Sequence, residues 1–263
     1  MDTRTDARYW NTVGSSLQKR PRQTLWRAHS DAVNVGWLAP RLAAQRVGRL
    51  LKTDLFDEAL TTGLYPLLSV RAHSVFGVDI SASTLRAAGG RYVGLHRAQA
   101  DIRALPFADG AFDGIVSNST LDHFDSTAGI AAALAELHRV LRSRGQLLLT
   151  LDNLANPVVA LRNALPLRLL NLLRIVPYGI GATCGPGRLQ HFVRQAGFEV
   201  VEVGAILHCP RVLVVALARM LEARQAAPLR PPFLRCLMAF ERLARWRTRF
   251  LTGYFIAIVA RKG

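Results

Sequence analysis

Three acidic residues follow largely apolar runs at a constant interval, and this spacing most constrains the fold. The acids lie 22 residues apart, with Asp57, Asp79 and Asp101 following the runs at residues 50–56, 75–78 and 92–99. In a doubly wound α/β sheet, an acid after the second strand accepts both hydroxyls of a cofactor ribose, while the first turn presents its backbone amides. We therefore expect a nucleotide-cofactor site laid across two neighbouring strands.

The remainder of the chain alternates between strand and helix patterns. Strands are predicted at residues 50–56, 71–79, 92–99, 112–117, 146–151, 198–207 and 253–261, and helices at 128–141, 188–196, 212–225 and 233–250. This alternation predicts a parallel sheet, with ligands at the carboxyl ends of its strands. We expect residues 1–49 to form an N-terminal helical cap and residues 50–263 to form one domain, with helical insertions at about 154–180 and 212–250.

Four segments together resemble the cofactor motifs of class I methyltransferases that use S-adenosylmethionine. They are residues 57–63, 77–80, 101–107 and 112–124, and the resemblance is strongest over residues 50–152. The family implies a doubly wound, seven-stranded, mostly parallel sheet of the Rossmann-like methyltransferase type. Its last strand is antiparallel and inserted between the fifth and sixth.

The resemblance also implies S-adenosylmethionine as the cofactor and a role for each matching residue. The first turn would hold the methionine part, the second strand end the ribose, the third the adenine, and the fourth would close the pocket. In that order the residues are Asp57, Glu58 and Gly63, then Asp79 and Ile80, then Asp101 and Ile102, then Ser117 and Asn118.

The first turn departs from the family pattern. Ala59 and Thr61 stand where the first two glycines of an acid-GxGxG turn are usual, and only Gly63 remains. Glycine is used there because it permits positive φ and a close approach of backbone to ligand. A differently shaped turn, a weakened affinity, or a relic that no longer binds would each account for this. We expect the first, because Asp79 and Asp101 are intact.

The excess positive charge lies in the two flanks of the chain. The net charge is +16, with +7 in residues 1–52, zero in 53–210 and +9 in 211–263. Basic flanks suit nucleic acid or anionic membrane, although the preference for Arg over Lys also fits the residue usage of a GC-rich genome. We expect no nucleic-acid partner. Residues 233–250, read as a basic amphipathic helix, favour either peripheral membrane contact or packing onto the domain itself.

The cysteines and apolar runs bear on the compartment of the protein. Cys184, Cys209 and Cys236 form no CxxC pair, so neither a disulfide framework nor a metal site is expected. No apolar run exceeds seven residues, and the N-terminus lacks the apolar core of a signal peptide. We expect a cytoplasmic protein, soluble or peripherally bound.

Candidate catalytic residues follow from the chemistry of methyl transfer. A hydroxyl acceptor would need a general base, and His123 and His208 follow predicted strand ends. Either histidine could instead cap or pack a loop. Tyr178, Cys184 and His191 would border the acceptor, and Arg27 would face a carboxylate of cofactor or substrate or lie on the surface.

The sequence favours one function and leaves two alternatives. The favoured function is methylation of a small apolar, aromatic or lipid-like metabolite, at a hydroxyl oxygen. A nucleic-acid methyltransferase would suit the basic flanks, but residues 117–120, Ser-Asn-Ser-Thr, lack the proline and aromatic motif of base-amino methylating relatives. A catalytically silent binding or scaffold protein would suit the missing glycines.

Overall fold

A seven-stranded sheet forms the centre of the protein in the computed structural model, which describes residues 7–18, 24–166, 179 and 181–263. The strands are β1 (Val47–Lys52), β2 (Ala72–Asp79), β3 (Leu95–Gln99), β4 (Phe112–Asn118), β5 (Leu141–Asp152), β6 (Phe198–Ile206) and β7 (Phe255–Lys262). Their order is β3-β2-β1-β4-β5-β7-β6. Only β7 is antiparallel to its neighbours, and it lies between β5 and β6. The predicted doubly wound sheet and the position of its last strand are confirmed.

The helices flank this sheet on both faces. They are α1 (Ala7–Gln18), α2 (Thr24–Leu38), α3 (Phe56–Leu60), α4 (Tyr65–Arg71), α5 (Ala82–Arg91), α6 (Thr127–Val140), α7 (Pro157–Ala164), α8 (Pro186–Gln195), α9 (Arg211–Ala223), α10 (Arg230–Ala239) and α11 (Arg249–Thr252). Serine side chains cap two of them, since Ser81 accepts from the amide of Thr84 and Ser126 from that of Gly129. Both caps follow strand ends, so they start helices at the cofactor edge predicted for the sheet.

Two apolar clusters, one against each face, hold the layers together. Strand β5 shows why the sheet is central, because Leu147, Leu149 and Leu151 are fully buried in one cluster while Leu148 packs in the other. Strands apolar on both faces are typical of a parallel sheet covered by helices on both sides.

Two sequence predictions about element bounds are wrong. Strand β1 ends at Lys52, and Asp57 and Glu58 lie in the first turn of α3. The apolar residues Leu55 and Phe56 belong to this new helix start, so their polarity pattern extended the predicted strand too far. The helix predicted over 233–250 is divided into α10, a 3₁₀ segment and α11.

The N-terminal helices pack against different parts of the domain. Helix α1 contacts α5 and α3, whereas α2 contacts α9, α10 and β6. Within the described residues, none of the helices is long and apolar enough to cross a bilayer. In the predicted insertion at 154–180, α7 is present, and residues 167–178 and 180, including Tyr178, lie outside the described residues.

Candidate cofactor and acceptor site

The turn after β1 is built from polar residues that the sequence analysis passed over. The Thr53 amide continues the pairing with β4 by donating to the carbonyl of Val116. The Asp54 carboxylate then accepts from the amide of Phe56 at 2.9 Å, which starts α3. The signal in the sequence was the Lys-Thr-Asp interruption of the apolar run at residues 52–54.

A buried ion pair replaces the usual glycine-rich turn. Lys52 Nζ lies 2.9 Å from Glu58 Oε2, and both side chains are almost fully buried. Burial alone would lower the pKa of Lys52, but the carboxylates of Glu58, Asp54 and Asp57 together raise it. Glu58 also accepts from the amide of Leu64. Glu58 therefore ties β1 to the chain after α3, and its carboxylate is occupied by internal partners.

Two neighbouring carboxyl groups lie at the ends of β1 and β2, where the sequence predicts the cofactor cleft. Asp79 accepts from the amides of Leu55 at 3.1 Å and Ser81 at 2.8 Å, which fix its orientation. Burial first, and then the nearby Asp54, raise the pKa of Asp79 to about 7, and burial likewise raises that of Asp54. Within the described residues neither carboxyl group forms an ion pair, and both remain partly exposed. Their remaining lone pairs are available to hydroxyl or cationic donors.

The acid that follows β3, Asp101, differs from Asp54 and Asp79 because an arginine already pairs with it. Arg103 holds both carboxylate oxygens of Asp101, at 2.6 to 3.1 Å, and its own amide donates to Oδ1. The guanidinium of Arg103 also lies over the ring of Phe124, 5.0 Å from its centre. Ile102 is buried in the core, whereas Ile80, after β2, is partly exposed.

Hydroxyl contacts join the ends of β1, β4 and β5. The Thr53 hydroxyl contacts those of Ser117, at 3.0 Å, and Thr120, at 2.9 Å. Thr150 donates to the Asn118 side chain at 2.9 Å. Ser117 is fully buried, and its hydroxyl links the end of β4 to the residue after β1.

Of the two candidate bases, His123 lies at the cofactor end. It ends a 3₁₀ turn after β4, is partly exposed, and packs against Trp10 with ring centres 4.8 Å apart. A positive charge on His123 opposes the rise in pKa that burial causes in the Asp54 and Asp122 carboxyl groups. Asp122 itself is buried and accepts from the Ser119 hydroxyl, with its second oxygen unpartnered among the described residues.

Helix α1 covers this end of the sheet from β2 to β4. Asn11 Oδ1 accepts from the Ser81 hydroxyl at 3.0 Å and the Ser83 amide at 3.1 Å. A Cβ added at Gly14 would meet the side chains of Ser83 and Thr84 at 3.0 Å. Since Trp10 reaches His123 from the same helix, α1 contacts both the chain after β2 and the turn after β4, where the cofactor cleft is predicted.

The remaining residues of the predicted methionine site lie between α2 and α3. Asp57 pairs with Arg27 at 3.3 Å, so Arg27 faces an acid of this chain. Burial, and then Asp57 and Glu58, raise the pKa of the neighbouring Asp31 to about 6. Gly63 has φ of +58° and packs against Glu58, which explains glycine at this one position of the turn.

The second candidate base, His208, lies at the far edge of the sheet. It follows β6, which is separated from β1 by β4, β5 and β7. Strands are about 4.8 Å apart, so this separation is about 19 Å. His208 is buried, with one ring nitrogen 2.8 Å from the Thr252 hydroxyl and the other 3.0 Å from the Ala205 carbonyl. The structure therefore brings His123, but not His208, to the carboxyl groups.

Between these regions, a closed network follows β5. Arg162 pairs with Asp152 at 2.5 Å and donates to the Tyr254 hydroxyl at 2.6 Å. Cys184 is buried beside this network, and burial raises its thiol pKa to about 11. His191 is exposed on α8.

The donor and acceptor groups of the cleft fit an S-adenosylmethionine molecule. Its ribose hydroxyls, ammonium and sulfonium group call for anions and acceptors, and Asp54 and Asp79 offer carboxyl groups with no ion pair in the described chain. The turn after β1 keeps a helix start there although two of its three usual glycines are absent.

The comparisons with known proteins agree with this geometry. Residues 60–149 match the sequence profile of a methyltransferase domain, beginning within the unusual turn. No protein with a curated function matches the sequence.

Solved structures share the fold at low identity. An S-adenosylmethionine-dependent methyltransferase from Mesorhizobium loti is 16% identical with a TM-score of 0.56, covering 87% of this chain and 97% of that one. The [4+2]-cyclase SpnF is 19% identical with a TM-score of 0.56, over 88% and 80%. Geranyl diphosphate C-methyltransferase from Streptomyces coelicolor A3(2) is 12% identical with a TM-score of 0.54, over 87% and 79%.

These likenesses show the fold, and the cyclase among them illustrates that the fold alone does not fix the reaction. The match over residues 60–149 adds that this part of the chain is similar to a methyltransferase domain. Residues 60–149 thus match a methyltransferase domain, and they lie within a seven-stranded fold that is similar to those of solved S-adenosylmethionine-dependent methyltransferases.

Proposed function

We propose that the protein transfers a methyl group from S-adenosylmethionine to a hydroxyl oxygen of a small apolar, aromatic or lipid-like molecule. The observation that carries the proposal is the arrangement of Asp54 and Asp79 beside His123, beneath helix α1. The carboxyl groups lack ion pairs within the described residues, and the histidine is partly exposed to the same cleft.

In this proposal each side chain has a separate task. Asp79, held by the amides of Leu55 and Ser81, accepts the ribose hydroxyls, and Asp54 adds negative charge beside it. Bound S-adenosylmethionine supplies a methyl group already activated on a sulfonium centre. A ring nitrogen of His123 would take the hydroxyl proton as the acceptor oxygen bonds to the methyl carbon, while the carbon–sulfur bond breaks and its electron pair stays on sulfur in S-adenosylhomocysteine.

The apolar character of the acceptor is supported by what surrounds His123. Trp10 packs on its ring, and the nearby residues Leu121 and Phe124 are buried in the apolar core. A pocket with aromatic walls excludes water and positions an apolar acceptor for in-line attack. The aromatic wall is contributed partly by α1, so the acceptor would meet both the cap and the sheet.

The first test is isothermal titration with S-adenosylmethionine and with S-adenosylhomocysteine. Asp79→Asn should weaken both by about 10- to 100-fold, because it removes a charge-assisted hydrogen bond worth roughly 1.5–3 kcal/mol. Asp109→Asn is the control, since Asp109 is exposed in the loop before β4 and pairs only with Arg139 among the described residues. No binding by the wild type would favour the silent scaffold instead.

The second test is methyl transfer from labelled S-adenosylmethionine to phenols and long-chain alcohols, beside the matching amines and thiols. His123→Gln should lower kcat by roughly 10²- to 10⁴-fold without changing the affinity for S-adenosylhomocysteine. His208→Gln should lower the thermal stability and leave the rate per folded molecule unchanged, because both its ring nitrogens serve internal contacts. Labelling of amines alone would contradict transfer to oxygen.

A further inference from the structure

Large apolar side chains remain exposed around one end of the sheet. Those flanking the ends of β5 and β6 are between 40% and 63% exposed. They are Leu154, Val158 and Leu161 on and before α7, Val212 and Leu213 on α9, and Trp246 and Leu251 on and before α11. We call this set the apolar rim. Contiguous exposed apolar surface of this kind marks an interaction site more often than a bare surface.

Contacts beneath the rim show that its three segments adjoin. Asn156, the cap of α7, donates to the carbonyls of Thr252 and Gly253 at the end of α11. Arg162 of α7 donates to the Tyr254 hydroxyl, and Arg211, at the start of α9, lies 4.5 Å from the centre of the same ring. Helices α7, α9 and α11 therefore meet around one residue, and their outward apolar side chains share one end of the molecule.

The exposed charged side chains of this region are positive. Residues 211–263 carry eleven basic side chains and two acids. Both acids have internal partners, since Glu222 accepts from Thr24 and Leu25, and Glu241 accepts from the amides that follow β6. The exposed arginines are Arg219, Arg224, Arg235, Arg242, Arg245 and Arg247. Trp246 lies directly between two of them.

The apolar stripe of the helix predicted over residues 233–250 is a different surface from the apolar rim. Leu237 of α10 is buried, and Phe233 and Phe240 pack against the same core cluster. The apolar stripe at 233–240 therefore covers the domain itself, as one reading of the sequence expected, and it is not available to a membrane. The apolar rim comes from other residues.

We propose that the apolar rim, with the arginines beside it, docks the protein on an anionic lipid bilayer. Tryptophan flanked by arginines suits the boundary between headgroups and acyl chains, because its ring is amphipathic and the guanidinium groups reach phosphates. A surface that is both apolar and uniformly cationic is complementary to such a membrane, since each nearby basic residue strengthens partition about fivefold.

The orientation has a consequence for the acceptor. The rim surrounds the carboxyl ends of β5 and β6, the same end of the sheet that carries Asp79 and His123. A docked molecule would turn this end toward the lipid, so that a lipid-like acceptor reaches the cleft from the bilayer. This last step rests on the proposed function, whereas docking itself does not.

Vesicle flotation tests docking without any methyl transfer. The full chain should float with vesicles of phosphatidylcholine containing phosphatidylglycerol, and much less with phosphatidylcholine alone. Arg245→Gln with Arg247→Gln should weaken partition by about 30-fold, as expected for two charges near the surface. The matched control is Arg144→Gln with Arg261→Gln, an equal change in charge at the opposite end of β5 and β7.

The tryptophan provides a second, local readout. Trp246 is highly exposed, whereas Trp26 and Trp37 are buried. Lipids brominated on the acyl chains should quench part of the protein fluorescence, and Trp246→Phe should remove that part. Leu251→Ser should weaken binding severalfold, while Val93→Ser, a fully exposed apolar residue before β3, should leave it unchanged.

Several outcomes would overturn docking. The first is equal binding to neutral and anionic vesicles. The second is an equal loss of binding in the Arg245/Arg247 variant and in the Arg144/Arg261 control. The third is the absence of fluorescence quenching by brominated lipids. Retention on RNA or DNA that depends on Arg245 and Arg247, with no vesicle binding, would assign this surface to nucleic acid instead. Because flotation needs no cofactor, docking can succeed where methyl transfer fails, and the reverse.

Discussion

The ends of β1 and β2 and the ends of β5 and β6 carry the same kinds of side chain in opposite states. At the first pair, Asp54 and Asp79 have no ion pair within the described chain, and His123 is partly exposed. At the second pair, Asp152 is bound by Arg162, and both ring nitrogens of His208 have internal partners. An acid at a strand end is thus a candidate ligand where the fold leaves it without an ion pair, and His208 is a poor candidate because both its ring nitrogens have internal partners.

The two regions also differ in how their buried ion pairs are enclosed. Lys52 and Glu58 are 2% and 0% exposed, whereas Arg162 and Asp152 retain 11% and 10%. Removing one partner of a fully enclosed pair leaves a charge that water cannot reach, so the cost is larger there. This difference predicts unequal effects of two similar substitutions.

Lys52→Met should produce the largest loss of stability. It leaves Glu58 buried without its cation, and we expect the free energy of unfolding to fall by about 3–5 kcal/mol, measured by urea denaturation. Arg162→Met should cost less, about 1–3 kcal/mol, because Asp152 is closer to solvent. The double variant Lys52→Met with Glu58→Leu should recover much of the first loss. Equal losses in the two single variants would remove the distinction between the regions.

The unoccupied carboxyl groups should make stability depend on pH. The pKa of Asp79 in the folded protein is about 7, above its value of about 4 in an unfolded chain, so the folded state holds the proton more tightly. The contribution of Asp79 to stability should therefore be greatest below about pH 4 and decline as pH rises to about 7. Asp31, Asp54, Glu58 and Asp122 shift in the same direction and add to this decline.

Asp79→Asn isolates the share of one residue. The variant should lose less stability between pH 4 and 7 than the wild type, by on the order of 1–2 kcal/mol after allowance for the partial exposure of the carboxyl group. Thermal unfolding across this range measures it. Asp152→Asn is the comparison from the other region, and a flattening as large as that of Asp79→Asn would show that the two acids are equivalent.

The smallest effect should come from helix α1, which packs over the chain that follows β2. Asn11→Ala removes two hydrogen bonds that hold α1 on the start of α5, and affinity for S-adenosylhomocysteine should fall by about fivefold, or roughly 1 kcal/mol. Thr12→Ala, whose hydroxyl bonds only to its own helix among the described residues, should have no effect. Unchanged affinity in Asn11→Ala would mean that α1 does not close the cofactor cleft.

Much of the fold followed from local patterns. Alternation of apolar runs and helical spacing predicted β2, β4 and β6 to within a residue or two, and Asp79 ends β2 as predicted. These predictions succeeded because each depends on neighbours a few residues away.

The first turn was predicted less well because its pattern is ambiguous. Leu55 is fully buried although it follows the strand, and apolar residues on both sides of a turn read as one run. The continuous helix predicted over 233–250 failed for a similar reason, since its apolar spacing persists across the break at Phe240–Arg245.

By itself, the sequence determined the order of the strands, the resemblance to a methyltransferase domain, and three acids that were predicted to meet a cofactor. Only the tertiary structure decided which of these acids are unoccupied, that Lys52 is buried against Glu58, and that His123 rather than His208 lies beside Asp54. Spacing along the chain fixes which edge of the sheet a residue reaches. Its charge state and availability depend on partners brought from distant segments, such as Arg162 to Asp152 or Trp10 to His123.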